Sequence, residues 1–253
     1  MHTLKDRLRA SAIHLSISLG IAALAALLVF GLWYPYPYRD ISGGRELFLL
    51  VTVVDVVIGP LVTLVIFNRA KSRRHLMMDF SVVGLLQLAA LSYGLWTVFV
   101  ARPVHLVFEY HRMAVVHAVD VAPAQLSQAP TELQALPLTG PTLLSLRPFQ
   151  TPDEQINSTV QAISGGIAQA AQPALWQPYD AAKSDILKDA KPLAQLKARF
   201  PDQAAVIDSA VAKTGLQANS LGYLPLLAHK SAWTVLIDLT TAQPVGFLPM
   251  DAF

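Results

Sequence analysis

Polar positions almost vanish from three stretches of the first hundred residues. Ala10 to Tyr38 is 29 residues without Asp, Glu, Lys or Arg, Leu47 to Asn68 is 22 residues interrupted only by Asp55, and Phe80 to Ala101 is 22 with no charge. A helix rises ~1.5 Å per residue and needs about 20 apolar residues to cross the hydrocarbon layer. The pattern therefore predicts three spans, at about residues 11–34, 47–68 and 80–101. A secretory signal peptide also opens with cations such as Lys5, Arg7 and Arg9. Here the apolar stretch is too long, and it runs into WYPYPYRD with no small-residue cleavage site, so an uncleaved anchor is expected.

After Arg102 and Pro103 the period changes. Val104, Leu106, Phe108 and Tyr110 alternate with His105, Val107 and Glu109, which predicts a strand with one apolar face, and Met113 to Asp120 can fold back on it through a turn near His111 and Arg112. Val121 to Gln150 holds five prolines and reads as a loop. Thr151, Pro152 and Glu154 form a helix start of the capping-box kind, and Gly165 and Gly166 stop that helix. Short helices are predicted over 180–190 and 192–200, with another from Pro201 to before Gly215. Trp233 to Leu239 and Pro244 to Met250 read as a closing hairpin around Thr240 to Gln243. The fold class is a membrane protein: an N-terminal three-helix transmembrane region, 1–101, followed by a periplasmic α+β domain, 102–253, whose terminal hairpins share one sheet.

Composition agrees. Of 253 residues 53% are hydrophobic and 14% charged, well below the about 25% charged of soluble domains. Residues 1–100 carry 9 Lys+Arg against 5 Asp+Glu, and residues 101–253 carry 10 against 12, so neither half offers nucleic acid a basic surface. The absence of cysteine excludes disulfides and thiolate chemistry. Three cations precede the first span, four (Arg69, Lys71, Arg73, Arg74) lie between spans two and three, and two (Arg39, Arg45) between spans one and two. The positive-inside rule then places the N-terminus in the cytoplasm and everything after Ala101 outside, in the periplasm of a Gram-negative bacterium. Trp33, Tyr34, Tyr36 and Tyr38, with Trp96 and Phe99, supply the interfacial aromatics of the outer side.

Asp55 is the sharpest residue of the membrane half, since an ionised carboxylate at mid-span costs about 2.5–3.5 kcal/mol on insertion scales. Counting depth puts Ser92 and Tyr93 level with it as partners. Pro60 lacks an N–H and leaves the Val56 carbonyl without its helical partner, so a kink near Gly59 and Pro60 is expected. Asp55 either locks the three helices together or grips another protein's membrane helix; three spans with one acid offer no proton relay. Ser18, Ala22 and Ala26 recur at four-residue spacing, which permits close helix approach, and Gln87 and His14 fit helix–helix hydrogen bonds. Outside the membrane, the hairpin would set His105 roughly opposite His117 on the face of Glu109, two imidazoles and a carboxylate able to hold zinc, though a polar hairpin face accounts for them equally. No metal, cofactor or catalytic residue is assigned. There is no Gly-rich phosphate loop, G-x-S-x-G elbow or H-E-x-x-H, and Asp185 with Asp189 or His229 with Lys230 and Ser231 make no cleft legible in the sequence.

WYPYP at Trp33 to Pro37, VDVVIGPLVTLVIF at Val54 to Phe67, QLAALSYGLWT at Gln87 to Thr97 and ARPVHLVFEYHR at Ala101 to Arg112, with YLPL at Tyr223 to Leu226 and the ending Trp233 to Phe253, resemble the TfpX/TfpZ type IV pilin accessory proteins over nearly the whole chain. Ala242 stands where a glycine is expected, and Leu175 to Tyr179 only loosely follows an aromatic-Pro-Tyr pattern. The resemblance implies a non-enzymatic inner-membrane helper, chaperone-like, for the stability, assembly or dynamics of a cognate type IV major pilin. Its partners would be that pilin, the lipid bilayer and other pilus assembly-platform proteins. Asp55, Gly59, Pro60, Gln87, Ser92 and Tyr93 are then candidates for intramembrane contact, and Trp176, Tyr179 and Trp233 for contact in the periplasm. The rival classes are a periplasmic ligand sensor, which would lack a cytoplasmic output domain, and a membrane enzyme.

Overall fold

A computed structural model describes residues 2–67 and 72–253. The predicted end of the second span at Asn68 and the orienting cations Arg69 and Lys71 lie outside the described residues. The chain divides into two compact units: the residues up to Arg39 with Gly43–Ala101, and Asp40–Ser42 with Arg102–Phe253.

The first unit consists of α1 (Leu4–Trp33), α2 (Gly44–Ile66) and α3 (Arg73–Val100), each long and apolar enough to cross a membrane. Leu24, Leu50, Val65 and Leu85 on these helices are all exposed. Water would penalise so much apolar surface, whereas lipid does not. Polar contacts set the packing of α1 on α2: Ser11 Oγ donates to the Pro60 carbonyl at 2.8 Å, and His14 Nδ1 lies 2.5 Å from Thr63 Oγ1. At the other end Tyr34 is fully buried and donates its hydroxyl to the Val98 carbonyl at 3.1 Å. Gly44 makes room for that ring, because a Cβ there would stand 2.5 Å from Tyr34 Cδ1. Trp33 meets Phe99 with ring centroids 5.0 Å apart, so one end of the aromatic cluster also fastens α1 to α3.

The second unit is built on one mixed sheet of β1 (Pro103–Glu109), β2 (Arg112–His117), β3 (Thr142–Leu146), β4 (Trp176–Pro178), β5 (Lys191–Pro192), β6 (Leu221–Leu227), β7 (Ala232–Asp238) and β8 (Pro244–Leu248), in the order β4-β3-β1-β2-β6-β7-β8 with β5 on β6. The two predicted hairpins, β1–β2 and β7–β8, do share a sheet, and β6 joins them by running parallel to β2 and antiparallel to β7. Two strands depart from expectation. β3 lies inside the stretch read as loop, where Thr142 to Leu146 pairs in parallel with β1. β1 is buried along its whole length rather than on one face, because it is a central strand and the turns at Gln169–Ala171 and Tyr179–Ala182 pack on it.

Helix α4 (Pro152–Ser164) starts where predicted, with Thr151 Oγ1 accepting the Glu154 N–H at 3.1 Å. The reciprocal half of the capping box is displaced: Glu154 accepts from the Gln150 N–H and pairs with Arg147. The later helices α5 (Lys183–Asp189) and α7 (Ala204–Thr214) each begin three residues late because a tight turn precedes each, and α6 (Leu193–Arg199) begins one residue late. α7 ends at Gly215, whose φ of +69° suits glycine. Leu193, Leu196, Ile207 and Val211 pack with Leu221, Tyr223 and Leu236 of the sheet into one core. A second core gathers Val104, Val107, Leu144 and Trp176. Ile41 belongs to this unit: it is fully buried, and its carbonyl accepts the Lys230 N–H at 3.1 Å.

Candidate functional site

The first unit encloses a cleft of about 320 Å³ lined by Ser18, Ala22 and Ala25 from α1, Thr52 and Asp55 from α2, and Gln87 and Leu91 from α3. Its polar centre follows from Pro60. Residues Val54–Ile58 form a turn of π-helix, in which each carbonyl looks five residues ahead. For Asp55 that residue is Pro60, which has no N–H to give. Gln87 supplies the missing donor from α3, with Nε2 3.3 Å from the Asp55 carbonyl. Gly59 makes the crossing possible, since any Cβ there would overlap the Gln87 amide. The wide turn thus moves the orphaned carbonyl from the expected Val56 to Asp55, and the irregularity is accommodated within a continuous helix.

The side chain of Asp55 is a different matter. It is buried, it lines the cleft, and neither carboxylate oxygen has a hydrogen-bond partner among the described residues. Ser92 and Tyr93, the partners expected from depth, are exposed and make no bond to it. Counting residues along a helix gives depth but not azimuth, and the face of α3 turned inward carries Gly84, Gln87 and Leu91 instead. Asp55, Gly59, Pro60 and Gln87 are therefore one constellation, and Ser92 and Tyr93 are outside it. Ser18 and Ala22 do line the cleft, and Ala25 rather than Ala26 continues their row.

In the second unit Trp176 and Tyr179 are core residues, not an outward surface. Trp176 is 1% exposed and donates Nε1–H to the Ala170 carbonyl at 2.8 Å; Tyr179 is buried and donates to the Ala242 carbonyl at 2.7 Å. Trp233 is half-buried. An outward surface exists elsewhere, on the capped helix α4. α4 buries Ser158 and leaves Ile156, Val160 and Ile163 exposed, at i, i+4 and i+7 along one face. Gln172 Nε2 donates to the Ser158 carbonyl and Gln169 Nε2 to its hydroxyl, so polar contacts hold the helix while its largest apolar side chains point outward. A helical-wheel count could have found this stripe.

The imagined pairing of His105 with His117 does not form. The hairpin register sets His105 opposite Val116, and a bulge between Pro103 and His105 then sets His117 opposite Pro103, so the two rings enter different surroundings. His105 Nδ1 lies 2.8 Å from Thr142 Oγ1 and its ring meets Trp176 edge-on at 4.7 Å; burial pushes it down to about 4, so it is neutral. Glu109 is occupied by Arg112 at 2.8 Å. His117 lies instead beside Asp120 and His229.

These features define a polytopic membrane protein with an acid-lined cleft among its spans and a mixed-sheet domain after them. The family model described as fimbrial assembly protein FimB matches residues 2–43. The chain is 38% identical over 251 residues to the fimbrial assembly protein of serogroup I from Dichelobacter nodosus, covering 96% of this chain and 95% of that one. It is 34% identical over 250 residues to the serogroup E1 protein of the same organism, with the same coverage. The protein belongs to this fimbrial assembly protein family, in agreement with the resemblance to type IV pilin accessory proteins. No solved structure matches the chain.

Proposed function

We propose that this protein is an inner-membrane accessory factor in type IV pilus assembly, a non-enzymatic, chaperone-like helper that holds a cognate major pilin before its incorporation. Relatives named as fimbrial assembly proteins along almost the entire chain support a role in assembly. The observation that carries the finer reading is the cleft: an unpartnered Asp55 beside a row of small residues is a place for another membrane helix carrying polar groups.

A pilin awaiting assembly is a membrane-anchored helix with a globular head. The spans would take its helix, and the C-terminal domain, on the periplasmic side, would take its head through the Ile156, Val160 and Ile163 face of α4, with Trp233 as a further contact candidate. Two weak contacts on one scaffold reinforce each other through effective concentration, so neither has to be strong. Pilus assembly-platform proteins would be neighbours of the same complex. Photo-crosslinkers placed at Ala22 and at Ile163 in the full chain test the reading in cells. Both should capture the pilin; recovery of none from either position would overturn it.

A further inference from the structure

The C-terminal domain carries a cluster that pilus assembly does not explain. His117 closes β2, Asp120 follows three residues later in a short turn, and His229 comes from the turn between β6 and β7. The chain brings them together: His229 Nε2 lies 3.0 Å and His117 Nδ1 3.3 Å from the same oxygen, Asp120 Oδ2. The two imidazoles stack with ring centroids 3.9 Å apart, and one ligand atom from each of the three residues falls within 4.8 Å of the others. His117 is 1% exposed, its Nδ1 has the 3.3 Å contact to Asp120 Oδ2, and its Nε2 has no hydrogen-bond partner among the described residues. A buried imidazole in that state is costly unless something else takes its lone pair.

We infer that His117, Asp120 and His229 bind a divalent transition-metal ion of the zinc type. With metal–ligand bonds of about 2.0–2.2 Å, donors at neighbouring corners of a coordination tetrahedron stand roughly 3.3 Å apart. The two contacts to Asp120, at 3.3 and 3.0 Å, are close to that length, and the stacked imidazoles have to turn so that a lone pair of each faces the ion. Two imidazoles and one carboxylate suit zinc and its neighbours, whereas calcium and magnesium ask for oxygen donors. His229 is half exposed, so a fourth position stays open to water or to a partner's side chain. The backbone shows what binding would fasten. His117 pairs with Pro103 at the start of β1, and Lys230, next to His229, holds the Ile41 carbonyl. A metal would therefore clip the end of β2 to the turn that retains Ile41.

The test is calorimetric titration of the full chain in detergent with Zn²⁺ alone, using a purification tag without histidine. One ion per chain is expected. His229→Gln and Asp120→Asn should each weaken binding by about tenfold or more, and His111→Gln, which alters the exposed His111–Asp189 pair, should leave it unchanged. Zn²⁺ should also raise the melting temperature of the wild-type chain but not that of His229→Gln. Because His229 lies in an exposed turn, that variant keeps the fold, as circular dichroism would verify. Absence of one-to-one binding, or binding of equal strength in His229→Gln, would overturn the site.

Discussion

Gln87 reaches across the bare backbone of Gly59 to donate its amide to the Asp55 carbonyl at 3.3 Å, 32 positions earlier in the chain. One missing Cβ, one missing amide proton and one side-chain amide thus form a single unit. Gly59→Ala should displace Gln87 and destabilise the helical unit by about 1–3 kcal/mol, the usual range for overpacking. Gln87→Ala should remove the clash, so the double variant should be much less destabilised than the sum of the two singles. Thermal unfolding of the detergent-solubilised chain measures this coupling; strict additivity would contradict the geometry.

Asp55 separates two roles. If its carboxylate locked the helices together, Asp55→Asn would lower the melting temperature, but its oxygens accept no hydrogen bond from the described residues of the bundle. The expected result is an unchanged or raised melting temperature with a fall in surface pili and pilin level, assayed separately. Loss of stability with normal piliation would reverse the assignment.

Ile156, Val160 and Ile163 are exposed on the surface of their own domain. Ile156→Asp combined with Val160→Asp should leave folding within about 0.5 kcal/mol of the parent, as surface substitutions do, while abolishing the crosslink from the head of the pilin. A large drop in stability would show that the face is covered within this chain.

Tyr179 and Ala242 make a second such pair, 63 residues apart. Tyr179→Phe strands a buried carbonyl and should cost about 1–3 kcal/mol. Ala242 has φ +63°, a conformation that disfavours a side chain, so Ala242→Gly should be neutral or stabilising in the same melting assay.

Glu154 supplies a pH dependence. Its hydrogen bonds from Arg147 and from the Gln150 N–H hold the carboxyl at about 2, against an ordinary value of 4.5. A folded-state value below the unfolded one means that the contribution is complete above about pH 4.5 and fades as pH falls toward 2. Hydrogen exchange in the first turn of α4 should accelerate over that window in the parent and show no such step in Glu154→Gln.

Local signals were legible where local physics decides. The three spans, the Thr151 cap and the stop at Gly215 follow from apolar length, a hydroxyl acceptor and left-handed backbone, none of which needs a distant neighbour. The importance of Asp55, Gly59, Pro60 and Gln87 was also visible, because a charge and a proline in a span are anomalies on their own. Ser92 and Tyr93 failed as partners because sequence gives height along a helix and not which way it is turned. Trp176 and Tyr179 looked like contact residues since aromatic side chains serve surfaces and cores alike. Strand β3 was lost in a proline-rich stretch because its pairing with β1 is parallel and not announced by a tight turn.

The amino-acid order alone therefore determined the membrane-spanning segments, the change of period after Arg102 and the family likeness, all of which rest on composition and spacing along one dimension. Tertiary structure decided which residues share a site. Strand register paired His105 with Val116 rather than with His117, which meets Asp120 and His229 instead, and a wide helical turn gave Gln87 its carbonyl. Such meetings depend on strand register and helix rotation, which are set by packing between segments far apart in the chain.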